Sequence, residues 1–147
     1  MKKWSWWVKA LVILVVLFGV IQLIPYGKDH TNPAVVAEPV WKDTTTQNLV
    51  ARACYDCHSN ETTWPWYSNV APASWLLAHD VEEARQNLNF SDWPSNPVVS
   101  QALLEGAVKM VQEGEMPPFY YVWMHPIANL SAAEKSQLVQ GLQDQAK

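Results

Sequence analysis

Apolar and polar positions follow two different regimes along this chain. Val8 to Ile24 is apolar apart from Lys9 and Gln22 and carries no acid, whereas the residues after Thr44 mix apolar and polar at helical spacing. From Trp6 to Tyr26 the first run is 21 residues, about 31 Å as a helix and enough to span a bilayer core. Trp4, Trp6, Trp7 and Tyr26 lie at its ends, where amphipathic rings prefer the membrane interface, and Pro25 and Gly27 stop it. Farther on, Thr44-x-x-Gln47 has capping-box spacing and Leu49, Val50 and Ala53 share one face, which predicts a helix running into residues 54–58. Ser59 to Val70 is too polar and proline-broken for a regular element. A second helix is expected after Ala71, with Pro72 in its first turn, through Trp75, Leu76, Leu77, Val81, Ala84 and Leu88. Asn96-Pro97 reads as N-cap and first position of a third, with Val99, Leu103, Ala107 and Met110 on its apolar face and its end near Gly114. Glu115 to Pro118 is irregular, and Ser131-Ala-Ala-Glu134 opens a last helix through Leu138 and Leu142. No strand pattern and no internal repeat appears, so the fold class is all-α.

Charge sharpens the division. Lys2, Lys3 and Lys9 precede or open the apolar run, and the positive-inside rule leaves them in the cytoplasm and sends the rest of the chain outside it. The same polarity fits a cleaved signal peptide, but the small-residue pair Val35-x-Ala37 lies too far past the apolar run. With those three lysines set apart, 7 basic residues face 14 acidic ones, a formal −7 that disfavours nucleic acid and anionic lipid and suits a basic partner patch. The expected organisation is an anchor over 1–27, a linker over 28–43 and a domain over 44–147. Gly27 to Asp43, stiffened by Pro33 and Pro39, reaches at most about 55 Å, and His30 within it reads as solvated.

Both cysteines of the chain fall in one motif, Cys54-Tyr55-Asp56-Cys57-His58. Cys-x-x-Cys-His is the attachment pattern of a c-type haem: two thiols on one helical turn reach the vinyl groups on one porphyrin edge, and the next histidine falls under the iron. A structural zinc site needs four ligands, and no second cysteine pair or paired histidines complete the set. A thioredoxin-like pair belongs in a βαβ pattern that is missing here. A disulfide between Cys54 and Cys57 would close a very short loop and leave His58 unexplained. One covalently attached haem c is therefore the expected cofactor. Trp64, Trp66 and Tyr67 are expected to pack against the porphyrin, with ring N–H and O–H groups within reach of a propionate.

For the sixth iron position Met116 leads, 58 residues after His58 in a loop that Pro117 and Pro118 stiffen, which lowers the entropy cost of holding a weak thioether. Methionine also fills core gaps, and His125 and then His79 are the rival ligands.

These residues carry a family resemblance. From about Asn48 to Leu142 the chain resembles the bacterial haem-binding domain proteins, small exported cytochrome c-like domains often carried on a membrane anchor. The matching blocks are Cys54-x-x-Cys57-His58-Ser59-Asn60, Trp64-Pro65-Trp66-Tyr67, Ala71-Pro72-x-Ser74-Trp75, Leu88-Asn89-Phe90-Ser91-x-Trp93, Gly114-x-Met116-Pro117-Pro118 and His125-Pro126-x-Ala128-x-Leu130-Ser131. The family pattern usually has glycine before the arginine of the second helix. Ala84 precedes Arg85 here, which affects only local packing. The resemblance implies haem binding in a small cytochrome c-like helical domain and supplies no redox partner.

The expected function is a membrane-anchored mono-haem cytochrome. It would pass single electrons on the extracytoplasmic side of the inner membrane, with a membrane redox complex or soluble carrier as partner and residues 6–26 in the bilayer. The absence of Gly-x-Ser-x-Gly, a Gly-rich phosphate loop or His-Glu-x-x-His favours a carrier over an enzyme. Two alternatives stand beside it. One is a peroxidase-like or gas-binding haem protein with an open sixth position and His79 or His125 as distal acid–base. The other is an accessory haem subunit of a respiratory or photosynthetic complex.

Overall fold

The computed structural model describes residues 4–147. Seven α-helices form among them: α1 Trp6–Ile21, α2 Thr44–Ala53, α3 Tyr55–His58, α4 Ala73–Asn87, α5 Pro97–Glu113, α6 Phe119–Met124 and α7 Ala132–Gln145. Two 3-10 turns cover Trp66–Asn69 and Pro126–Ala128, and the β structure among the described residues is one isolated bridge, Ala37 to Asp92. The all-α expectation holds. The chain divides into two compact units: residues up to Thr31 with Trp64–Glu82, and Asn32–Thr63 with Glu83–Lys147.

In the first unit α1 buries none of its residues. It is 16 residues, about 24 Å, shorter than the expected run to Tyr26 and short of a hydrocarbon core of about 30 Å. The membrane-spanning expectation is corrected accordingly: among the described residues, no helix is long and apolar enough to cross a membrane. The physical reason lies at Gln22. Its amide donates to the Ala71 carbonyl and accepts from the Ala71 N–H, both at 2.9 Å, which ties the chain to protein where the helix would have continued. Lys2 and Lys3 lie outside the described residues. His30, expected in solvent, stacks on Trp64 at 4.6 Å and contacts the Ser68 carbonyl at 3.2 Å.

The second unit is a helical core. Leu49, Val50 and Ala53 of α2 pack with Leu104, Val108 and Val111 of α5, Leu138 and Leu142 of α7, and Phe90 and Leu130. Asp43, one residue before the expected Thr44, is the N-cap of α2; its carboxylate accepts from Thr46 N at 2.7 Å. Thr46 in turn packs so closely on α7 that a methyl at Gly141 would overlap its side chain. The capping box at Ser131 and Glu134 forms as expected, and Arg52 of α2 pairs with the same Glu134 carboxylate. Asn96 caps α5 over Pro97, also as expected. The buried face of α5 is one residue later than the sequence pattern suggested, with Val99 exposed. Residues 34–42, expected as linker, are an extended strap on this unit. Val36 N donates to Ser91 O at 2.8 Å, Trp93 N to Ala37 O at 3.0 Å and Lys42 N to the Gln145 side chain at 2.9 Å.

Candidate functional site

Regular helix breaks at Cys54, whose φ of −124° ends α2. A fresh turn begins at once, with Cys57 N and His58 N donating to Cys54 O at 3.2 and 2.8 Å. That turn gathers both cysteines and the imidazole of the motif. The cysteines are thiols and not a disulfide. Burial, with Cys57 nearby, pushes the Cys54 thiol up to about 12, so it stays protonated at neutral pH.

His58 is held on two sides by one short segment. Its Nδ1 is 2.9 Å from Leu88 O, and Phe90 N donates to His58 O at 2.8 Å. A carbonyl can only accept, so Nδ1 carries the proton and Nε2 keeps the lone pair a metal needs. Burial lowers the pKa of His58 despite the opposing Leu88 and Ala84 carbonyls, which keeps the ring neutral. Neighbouring bonds extend the clasp: Asn89 Nδ2 to Asn60 Oδ1 at 3.0 Å, Asn60 N to Ser91 Oγ at 3.0 Å and Ser91 N to Asn89 Oδ1 at 2.9 Å. Arg85 closes it. Its Nε donates to Ser59 O at 2.8 Å and its Nη2 to Thr62 Oγ1 and Asn32 Oδ1 at 2.9 and 3.0 Å. Behind the turn, Phe90 is buried and stacks between Tyr55 at 5.5 Å and Trp93 at 5.7 Å.

The other expected residues divide between the two units. Met116 packs against the same hydrophobic cluster as Cys54 and Tyr55. Its backbone follows a left-handed Gly114, φ 75°, at which Gly114 N reaches Val111 O and Glu115 N reaches Met110 O, the helix end for which glycine is suited. His125 stacks on Tyr121 at 4.2 Å with Nδ1 3.1 Å from Tyr121 O. Trp64, Trp66 and Tyr67 belong to the other unit with His79, where Trp66 is exposed and meets Tyr67 edge-on at 5.8 Å. That unit also buries two donors without a hydrogen-bond partner, Ser74 Oγ and Trp75 Nε1.

Several contacts that fix this turn leave no mark in the sequence. The Leu88 carbonyl, the Arg85 clamp and Asp56, whose Oδ2 accepts from Tyr121 OH at 2.7 Å, have no local signature, since each partner is 23 or more residues away. The block Leu88-Asn89-Phe90-Ser91, part of the family resemblance, is the one local pointer to them.

The donor set fits a haem: a neutral histidine with an oriented lone pair, two thiols on its own turn, and a thioether on the same core. No curated protein and no solved structure matches the chain. A family profile described as a haem-binding domain matches residues 16–144, from the second half of α1 to the end of α7. Haem is therefore the cofactor, and the chain belongs to the haem-binding domain family.

Proposed function

We propose that the protein is a mono-haem c-type electron carrier working outside the cytoplasm. Cys54 and Cys57 would hold one haem through thioethers, His58 would be the proximal ligand and Met116 the distal one. The observation that carries this reading is the His58 Nδ1 contact to Leu88 O at 2.9 Å, within a Cys-x-x-Cys-His turn. It orients the ring and strengthens the other nitrogen as a ligand. When bound, the haem iron supplies a one-electron couple, and thioether ligation raises its potential relative to two histidines. The chain's own part is to keep His58 neutral and immobile, exclude water around Phe90 and present Met116 from a stiff loop. Such a carrier needs only an exposed haem edge.

The α1 segment supports a membrane seat. Its apolar side chains are exposed except at half-buried Ala10 and Ile21, and it carries no acid. A helix of 16 residues with so apolar a surface would lie in the membrane interface, keeping the protein near a membrane redox complex or a soluble carrier that docks there. Carbonate washing should leave the protein in the membrane fraction, and release into the wash would remove the seat.

Denaturing electrophoresis with haem staining tests the covalent link. A stained band at 16.7 kDa plus haem is expected. Extraction of all haem by acid acetone would overturn c-type attachment.

A further inference from the structure

We infer that the Tyr121–Asp56 hydrogen bond is a tether that positions Met116 for ligation, an inference that rests on Met116 being the distal ligand. Met116 is strung between two fixings. Upstream, Glu115 N and Met116 N both reach Met110 O, at 3.0 and 3.3 Å, so the end of α5 fixes where the loop begins. Downstream come Pro117, Pro118 and α6, a helix of six residues that is too short to hold itself. Phe119 and Trp123 on α6 point to solvent, each more than 80 % exposed. Tyr121 is the residue that turns back. Its hydroxyl donates to Asp56 Oδ2 at 2.7 Å, and Asp56 lies two residues before His58 on α3.

Both ends of that bond are braced. Asp56 Oδ1 accepts from Thr63 N at 3.0 Å, and its backbone carbonyl accepts from Thr62 Oγ1 at 2.7 Å, so the carboxylate is not a swinging group. His125 stacks on the Tyr121 ring at 4.2 Å and its Nδ1 meets Tyr121 O. The segment that follows Met116 is thus referenced to the same four-residue turn that carries the proximal histidine. A thioether is a weak ligand whose occupancy depends on how little freedom its loop retains. Tyr121 is accordingly a positioning residue, acting on the iron only through Met116.

The test is carbon monoxide binding to the ferrous holoprotein, with reduction potential and thermal unfolding measured on the same samples. Wild type should resist carbon monoxide. Tyr121→Phe removes one hydroxyl and should raise the open fraction about ten- to hundredfold, the size expected for losing a hydrogen bond to a charged group. The potential should fall with it, while haem staining stays at the wild-type level. Asp56→Asn reaches the same bond from the other side and should give a smaller change in the same direction. Asp56→Ala combined with Tyr121→Phe should be no more open than Asp56→Ala alone. If Tyr121→Phe resists carbon monoxide like wild type while Met116→Ala binds it, the tether is wrong and the ligand assignment stands. If Met116→Ala also resists it, the ligand assignment is wrong and the tether falls with it.

Discussion

The two stretches expected to face the iron are built in opposite ways. His58 sits in a closed set of hydrogen bonds: Leu88 O on its ring, Phe90 N on its carbonyl, and Arg85, Asn60 and Ser91 fixing the residues around it. Met116 has one long backbone bond of its own, to Met110 O, and otherwise packs by shape against the hydrophobic cluster. The difference follows from ligand chemistry. An imidazole must present one particular nitrogen, so its tautomer and tilt have to be fixed. A thioether has no tautomer and binds weakly, so what matters is that its loop has few alternatives. In the proposed carrier, occupancy of the sixth position would then depend on how firmly the loop holds Met116.

The sharpest way to break the proximal side is Arg85→Ala. It removes the donors to Ser59 O, Thr62 Oγ1 and Asn32 Oδ1 and leaves the Ser59 carbonyl unpaired. A loss of about 2–4 kcal/mol in urea unfolding is expected. Arg85→Lys should recover little, because an ammonium cannot bridge the three acceptors as a planar fork does. Gly114→Ala probes the distal side. At φ 75° an alanine costs about 1–2 kcal/mol, and the expected outcome is a small stability loss with a visible rise in carbon monoxide binding. A stability loss without any change at the iron would show that the loop does not govern Met116.

The smallest effect lies in the frame that supports α2. Arg52 and Ser131 hold the Glu134 carboxyl down from 4.5 to about 2. A depressed carboxyl contributes stability that is fully present above its ordinary pKa and fades as pH falls toward 2. The pair is about a third exposed, so solvent screening keeps the contribution minor. Glu134→Gln should flatten the acid limb of a thermal-stability profile slightly and leave the haem spectrum unchanged.

How much of this was legible in the sequence depended on the range of each interaction. Caps are local, so Asn96-Pro97 and the Ser131–Glu134 box fixed helix starts correctly, while Thr44 lost the cap to Asp43 by one residue. The motif at 54–58 carried its own chemistry. Long-range bonds have no such mark: Gln22 meeting Ala71 49 residues away shortened α1, and Ser91 meeting Val36 turned a linker into a strap. The α6 helix was invisible because Phe119-Tyr120-Tyr121-Val122-Trp123-Met124 has no polar residue to set a period. The buried face of α5 is not fixed by its own pattern, because apolar residues flank both candidate stripes, and packing against α7 selects Leu104, Val108 and Val111.

An iron held between His58 and Met116 should respond most strongly to Met116→Ala. Absorption spectra of the oxidised and reduced holoprotein, with and without carbon monoxide, are the measurement. The variant should keep its covalent haem and its helices, since His58 and both cysteines remain. It should lose the low-spin methionine-ligated spectrum, fall in potential and bind carbon monoxide when reduced. A wild-type low-spin spectrum in Met116→Ala, lost instead in His125→Ala, would rule out Met116 and make His125 the distal ligand.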